Sequence, residues 1–465
     1  MGYTYEPDIL KACDVRGVYG SELKAEDGYH LGKAFASMLH RDGLKSCALG
    51  YDGRLSSPEF SKRVLEGLIE CGIDVRDLGV VPSPVVYHAV KRLPTDAGVM
   101  ITASHNPAEY NGCKFVLNDR LFHGNSIQQL AEISRNDSYF ISEKKGSVTS
   151  VDIRDSYNEY LSTFVKNPES RSLKVVWDPG NGASGEILQS FVKKLDGEQI
   201  VINGEIDGHF PNHHPDPSLP KNMLMLKEKV LETQADVGIA FDGDGDRIGA
   251  MDNTGRTLTG DQLLALFARD HIRVNPGATV MSEVKAGSFF YRDIAEHGGV
   301  PLMWKVGHSN QKEKMIEEHI GLAGETSGHI FFEENYGFDD GMFAAVKLLN
   351  LLSISKDTLS AMVDTFPVIH NTGEIRIHLE TQQRKDLIVD IAARLQAAKR
   401  DYIDLDGVRV PSGDGFWILR GSNTQPHITI YCESETVDGL KSCKQEMIDQ
   451  VEASGYTFED IVVVH

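Results

Sequence analysis

The sequence predicts an α/β protein: three tandem related α/β domains around a central cleft, then a smaller C-terminal α+β domain. Two observations carry that expectation. A strand–helix–strand pattern recurs three times, and the end of the chain changes to period-two strands set between helices. In the first unit, Cys47-Ala-Leu-Gly-Tyr-Asp52-Gly-Arg54 reads as strand into loop. A helix follows with Phe60, Val64, Leu65, Leu68 and Ile69 on one face, and a strand runs from Ile73 to Leu78. Ser57 reads as the N-cap, Pro58 as N1 and Gly72 as the stop. The second unit is Leu173-Lys-Val-Val-Trp177-Asp-Pro-Gly, a helix through Ile187, Leu188, Phe191 and Val192, and the strand Gln199-Ile-Val-Ile202. The third runs from Thr279 to Val284, through Phe289 to Ala295, and on from Val300 to Val306. Such units imply parallel strands with ligand loops at their carboxyl ends.

Beyond them Ile375, Ile377 and Leu379 alternate with Glu374, Arg376 and His378, as in a half-buried strand. A helix from about Arg384 to Lys399, short strands at Val408 to Val410, Phe416 to Leu419 and Ile428 to Tyr431, and a last helix from near Thr436 complete an antiparallel α+β domain. The expected domains are 1–153, 154–255, 256–367 and 368–465.

Composition excludes several classes of function. The 465 residues contain 47 Lys+Arg and 68 Asp+Glu, a formal charge of 47 − 68 = −21. Sequence-independent nucleic-acid binding and an anionic membrane surface both need a net basic face, so neither is expected. A phosphorylated substrate would also be repelled at long range. The length suits about three domains and room for a small fourth at roughly 150 residues each. Six cysteines without a C-x-x-C pair read as reduced thiols of a cytoplasmic protein. The amino terminus has no secretory signal pattern, no apolar run approaches a membrane span, and Glu6 stands where a myristoylation signal has Ser or Thr.

Four loops carry chemistry. In Phe241-Asp242-Gly243-Asp244-Gly245-Asp246-Arg247, three carboxylates at i, i+2 and i+4 can turn toward one hard cation. Calcium-loop spacing fails, because Arg247 and Asn253 occupy the positions of the required Gly and Glu. Magnesium fits better, and a bare acidic turn is the bland alternative. Gly98-Val-Met-Ile-Thr102-Ala103-Ser104-His105-Asn106-Pro107 is an apolar strand ending in a polar loop, where a serine is placed to meet a metal and a phosphate. Gly324-Glu325-Thr326-Ser327-Gly328-His329 is the third loop. In Arg420-Gly421-Ser422-Asn423-Thr424-Gln425-Pro426, one guanidinium and three short polar side chains can cage a phosphate; a plain β-turn accounts for Ser, Asn and Pro nearly as well.

A competing signal is Gly180-Asn-Gly182-Ala-Ser-Gly185, a G-x-G-x-x-G run between strand and helix with Glu205 further on, as in an NAD-dependent oxidoreductase. Asp178-Pro179 separates it from its strand, and that reading leaves the other loops unemployed. A tight turn is the alternative role. His213-His214 lacks further metal ligands and reads as plain loop.

Taken together, Asp14-Val-Arg16-Gly17, the Thr102–Pro107 loop, Asp242–Arg247, Gly324–His329 and Arg420–Pro426 resemble, in order and over essentially the whole chain, the α-D-phosphohexomutase family, and most closely its phosphomannomutase/phosphoglucomutase branch. The resemblance implies an isomerase that interconverts hexose 1-phosphate and hexose 6-phosphate of mannose or glucose, with hexose 1,6-bisphosphate as intermediate and activator. It implies that Ser104 carries the phosphate and that Asp242, Asp244 and Asp246, with an oxygen on phospho-Ser104, hold Mg²⁺. Glu325 and Ser327 would grip sugar hydroxyls; Arg420, Ser422, Asn423 and Thr424 would hold the phosphate not being transferred. Arg16, Lys114, Arg247, Lys285, His308 and His329 match positions lining the reaction centre, with His329, His308 or Lys114 as general acid/base. The expected partners are small sugar phosphates, without nucleic acid or membrane, for a cytoplasmic monomer. Thr326 departs from the Met common in the branch, and Cys13 replaces an aromatic residue. Thr326 in place of Gln, and Asn423 in place of Gly, count against the sister phosphoglucosamine mutases. A sugar-phosphate binding protein without turnover is the remaining class.

Overall fold

The computed structural model describes residues 2–118, 120–165, 171–421 and 427–456. Four sheets follow one another along the chain, and the first three share a plan. In the first, the central strands lie in the order Tyr110–Leu117, Ala97–Ile101, Ser46–Tyr51, Asp74–Val80, with Val15–Val18 and Val148–Ser150 added at the edges. The second repeats that order with Ile248–Asp252, Val237–Phe241, Lys174–Asp178 and Glu198–Val201. Ile330–Phe332, Leu322–Gly324, Thr279–Glu283 and Val300–Trp304 repeat it again.

The predicted strand–helix–strand units are present and parallel. The sheets are nevertheless mixed, because the strand leaving each functional loop turns back antiparallel to the strand entering it. Residues 102–109, 242–247 and 325–329 are therefore the connections of three equivalent antiparallel pairs, each anchored at both ends by a hydrogen-bonded ladder. The fourth sheet, His370–Asn371, His427–Ser434, Gly415–Gly421 and Val408–Ser412 with Ile375–His378 paired to 427–434, is antiparallel throughout. Helices Thr381–Ala397 and Val437–Glu452 pack Leu387, Ile391, Cys443 and Met447 against its Trp417.

One helix start differs from expectation. Helix Ser57–Glu70 is preceded by Ser56, so Ser57 is its first residue and Pro58 its second. The Ser57 hydroxyl donates to Asp52 Oδ1 at 2.6 Å, a charge-assisted bond that takes the place of a capping role. All six cysteines are free, and no described helix is long and apolar enough to cross a membrane.

A single apolar cluster runs from Ala48 and Val86 through Trp177 and Phe241 to Phe343 and Phe366, so the first three sheets share a core. The seam to the fourth domain is built differently. Val284, Phe416 and Ile418 form a small apolar patch there. Arg409 crosses it, donating to the carbonyls of Val284 and Ala286 while its guanidinium lies 3.3 Å from the centroid of the Phe416 ring. Beside it Glu433 accepts from the Ser288 N–H at 3.0 Å and from the Tyr431 hydroxyl at 3.1 Å. Burial, and then the Asp261 charge, push Glu433 up to about 7 from its ordinary 4.5, although Arg409 pulls the other way. A carboxyl whose folded pKa is raised contributes stability that is complete below the unfolded value and is lost as the pH climbs through the folded one. Docking of the fourth domain is thus expected to weaken as pH rises from 4.5 through about 7. Amide exchange across the seam, followed against pH, checks this: Glu433→Gln should flatten the dependence, and an unchanged slope would refute it.

Candidate active site

The polar loop at the end of Ala97–Ile101 holds Ser104 in a left-handed conformation, φ 51°, with the side chain buried. For a residue other than Gly, Asn or Asp that conformation costs about 1–3 kcal/mol and needs a surrounding frame. The Ser104 hydroxyl donates to Asp242 Oδ2 at 2.7 Å, and His105 Nδ1 lies 3.2 Å from the serine oxygen. The two loops can approach this closely because position 243 is glycine: a Cβ there would sit 2.5 Å from the Ser104 carbonyl oxygen.

Asp242, Asp244 and Asp246 are fully buried, with one oxygen of each within 4.8 Å of the others. Burial, then the charges of Asp246 and Asp244, push Asp242 well above the usual carboxylate range. Burial also opposes charge on Asp244, but Lys114 outweighs it and holds that carboxyl below its ordinary value. The Lys114 ammonium donates to Asp244 Oδ2 at 2.7 Å and Asp246 Oδ2 at 2.5 Å. Its own pKa stays well above the ordinary value, since Asp244 and Asp246 overcome the cost of burial. Asp244 Oδ1 and Asp246 Oδ1 are buried without a hydrogen-bond partner. An acidic triad with two such oxygens fits a hard divalent cation.

The third loop meets the second through the Ile248 N–H, which donates to the Gly328 carbonyl at 3.0 Å. Arg247 Nε donates to His329 Nε2 at 2.9 Å. A guanidinium can only donate, so Nε2 is the acceptor and a neutral His329 carries its proton on Nδ1. That nitrogen lies 3.0 Å from Asp339 Oδ2 and 3.6 Å from Asp246 Oδ1. His308 stacks on His329 with ring centroids 5.5 Å apart, and its Nδ1 lies 3.6 Å from the same Asp339 oxygen. Burial, then Lys312, hold His308 well below the ordinary histidine value. Asp339 Oδ1 takes the Lys312 ammonium at 2.5 Å. Burial would raise the Asp339 pKa, but Lys312 and the two histidines hold it well below the carboxylate range.

Of the remaining expected residues, Arg16 is held by Asp14 and donates to Asn106 Oδ1 at 2.7 Å, beside the serine. Glu325 accepts from the Gly307 N–H at 2.5 Å, and Ser327 reaches its other oxygen at 3.4 Å. Burial, then Glu283, raise the Glu325 pKa. Thr326 turns its hydroxyl and N–H onto Glu283. Lys285 and Arg420 lie on the seam with the fourth domain. Lys285 bonds Glu374 at 3.0 Å, and Arg420 donates to Asp406 Oδ2 at 3.2 Å. The same Asp406 oxygen accepts from the Val306 N–H, next to the Gly307 that holds Glu325. Ser422, Asn423 and Thr424 lie outside the described residues.

Each of these basic residues thus has an acid or polar partner. The glycine run 180–185 supports the fold: the Ala183 N–H donates to the Gly243 carbonyl at 2.9 Å, and a Cβ at Gly185 would strike the Gly204 carbonyl at 2.3 Å. It buttresses the acidic loop, with its glycines pressed on backbone where a dinucleotide would need room. His213 likewise stays in its loop, 3.0 Å from Asp178.

Two groups of site residues escape the sequence. Asp339 and Lys312 look ordinary there, because Asp340 caps helix Gly341–Ile354 by accepting from the Phe343 N–H, and an adjacent acid reads as part of the same start signal. Arg54 and Asp52 look like loop polarity after a strand; their Asp-x-Arg spacing is the available clue.

Comparison with known proteins adds to this geometry. Four family models match in order: "Phosphoglucomutase/phosphomannomutase, alpha/beta/alpha domain I" over residues 8–139, domain II over 155–255, domain III over 259–368, and the C-terminal domain over 374–450. A phosphomannomutase/phosphoglucomutase of Pseudomonas aeruginosa is 40% identical over 452 residues, covering 97% of this chain and 96% of that protein. A phosphoglucomutase of Neisseria gonorrhoeae is 38% identical over 450 residues, 96% of this chain and 97% of the relative. The crystal structure of a phosphoglucomutase/phosphomannomutase family protein from Burkholderia thailandensis superposes with a TM-score of 0.91 at 36% identity, covering 97% of this chain and 98% of that one.

Proposed function

Because the chain belongs to the phosphoglucomutase/phosphomannomutase family, we propose that it is a phosphohexomutase interconverting the 1- and 6-phosphates of mannose and glucose through phospho-Ser104 and a hexose 1,6-bisphosphate. The observation that carries the reading is the Ser104 hydroxyl, fixed in a left-handed turn 2.7 Å from Asp242 of a buried acidic triad. Phosphoryl transfer needs positioning and charge neutralisation more than covalent assistance, and both are supplied by these loops.

In this reading Asp242, Asp244, Asp246 and an oxygen on phospho-Ser104 would hold Mg²⁺, which would neutralise charge on the transferring group. Arg16, Lys114 and Arg247 supply cationic donors around the serine. His329 takes the attacking hydroxyl's proton at Nε2 once Arg247, which donates to that nitrogen in the free enzyme, has turned to the substrate's phosphate, while Asp339 Oδ2, 3.0 Å from Nδ1, favours the tautomer that leaves Nε2 basic. Glu325 and Ser327 bind sugar hydroxyls, and Arg420 and Lys285, with Ser422, Asn423 and Thr424, hold the distal phosphate. The domain division at 153, 255 and 367 belongs to the same proposal, supported by one sheet falling within each segment. So does a cytoplasmic monomer acting on small sugar phosphates, supported by the acidic surplus and the free cysteines.

Intact-mass measurement for one phosphoryl group, followed by coupled assays on mannose 1-, glucose 1- and glucosamine 1-phosphate side by side, tests the reading. Phosphoserine with turnover of the first two is expected. Preference for glucosamine 1-phosphate would move the chain to the sister activity, and binding without turnover would make it a binding protein. A nicotinamide-dependent absorbance change abolished by Gly182→Val would instead favour the oxidoreductase.

A further inference from the structure

We propose that Arg54, from the first domain's loop after Ser46–Tyr51, is the positioning residue of the reactive serine, an inference that rests on phospho-Ser104 as the phosphoryl carrier. Its guanidinium has no solvent exposure. Nη2 donates to the carbonyls of Ser104 at 2.8 Å and Asn106 at 2.7 Å; Nη1 donates to those of Pro107 and Tyr110; Nε donates to Asp52 Oδ2 at 3.0 Å. The same Asp52 oxygen accepts from the Thr102 hydroxyl at 2.8 Å, and Thr102 Oγ1 accepts from the Ser104 N–H at 2.8 Å. Ser104 is therefore held at both ends of its own backbone unit, by its carbonyl directly and by its N–H through Thr102 and Asp52.

That frame is what the strained φ of 51° requires. It also gathers four carbonyl oxygens onto one buried cation, so their negative ends do not face an anion carried by Ser104. Desolvation opposes a charge on Arg54 and lowers its pKa, an effect the adjacent Asp52 counters. The frame continues into the second domain: Phe210 lies 5.3 Å from the guanidinium carbon, and a Cβ at Gly208 would meet the Gly53 carbonyl at 2.5 Å. Lysine cannot replace this, since a point charge with three donors does not reach four carbonyls and a carboxylate lying in the directions of a planar fork.

Arg54→Lys and Thr102→Val, compared with the parent enzyme, test the assignment. The expected result for Arg54→Lys is a kcat lower by roughly 100-fold with KM within about threefold, the signature of a displaced reacting atom rather than lost substrate binding. Single-turnover transfer from the phosphorylated variant to sugar phosphate should slow in parallel. Thr102→Val should show the same split to a smaller degree, and the double variant should lose little beyond Arg54→Lys, because both act through Ser104. If Arg54→Lys does not fold, Thr102→Val decides alone. Parent-like kcat in a folded Arg54→Lys variant, or a loss confined to KM, would overturn the positioning role while leaving the mutase reading intact. Absence of phosphoserine and turnover in the parent would sink both.

Discussion

Ser104→Ala is expected to abolish turnover, with kcat falling by at least ~10⁴-fold, as for other enzymes stripped of the atom that forms the covalent intermediate. Fold and sugar-phosphate binding should survive. The hydroxyl is engaged with Asp242 and His105 alone among the described side chains. The backbone contacts to Arg54 and Thr102 do not involve it. Asp242 keeps a second donor, the Arg247 N–H at 3.1 Å. Alanine tolerates the left-handed turn about as poorly as serine, so the strain is unchanged. Thermal unfolding within a few degrees of the parent, calorimetric binding of sugar phosphate, and an intact mass without phosphate would together support the assignment. An alanine variant that turns over would end it.

The second large effect is expected at Asp339, which the sequence hides. Asp339→Asn removes one charge from a buried point where Lys312 and two histidines converge. Leaving a buried ammonium without its carboxylate typically costs about 3–5 kcal/mol. Catalysis should suffer separately, because the carboxamide no longer enforces the Nδ1 proton on His329. A kcat decrease of roughly 10²–10⁴-fold is expected for loss of general acid–base function. Two readouts separate the effects: Tm reports the stranded Lys312, and the pH–rate profile reports the histidine. The double variant Asp339→Asn with Lys312→Met should recover much of the Tm and little of the kcat. Recovery of both together would show that the carboxylate serves packing alone.

The sequence makes the four loops visible because each concentrates polar chemistry directly after an apolar strand, a contrast that single-chain reading detects well. It also shows the repeated unit, since helix periodicity and Gly punctuation are local. The return strands escape it. Asn106-Pro107 before Tyr110–Leu117 reads as a turn but does not say that the chain returns along Ala97–Ile101, an antiparallel pairing that is a long-range contact. Arg54 escapes for a related reason: its partners lie about fifty residues away, at Ser104, Asn106, Pro107 and Tyr110, and nothing in Asp-Gly-Arg announces them. Asp339 is masked by its neighbour's capping role. The net charge of −21 misleads about the substrate because it counts residues without placing them; Lys114 and Arg247 lie inside, each on a carboxylate.

The seam between the third and fourth domains has a further consequence. Loops of the first three domains are joined to one another by peptide groups: Ser83 N–H to the Asp244 carbonyl, Ile248 N–H to Gly328, Gly341 N–H to Gly245. Across the seam, every hydrogen bond among the described residues begins or ends on a side chain: Arg409, Glu433, Asp406, Lys285, Arg292. Side-chain bonds can be exchanged for water or for a ligand's phosphate without breaking any strand or helix, so among the described residues this seam is a weak plane, placed by the type of bond rather than by bond number. Ser104, the acidic triad, His308 and His329, the proposed reaction centre, all lie on the side of the first three domains, while Arg420 lies on the other. In the proposed reaction, a hexose bisphosphate let go by the fourth domain would turn against a reaction centre that stays fixed, and its second phosphate would return to an unmoved Ser104.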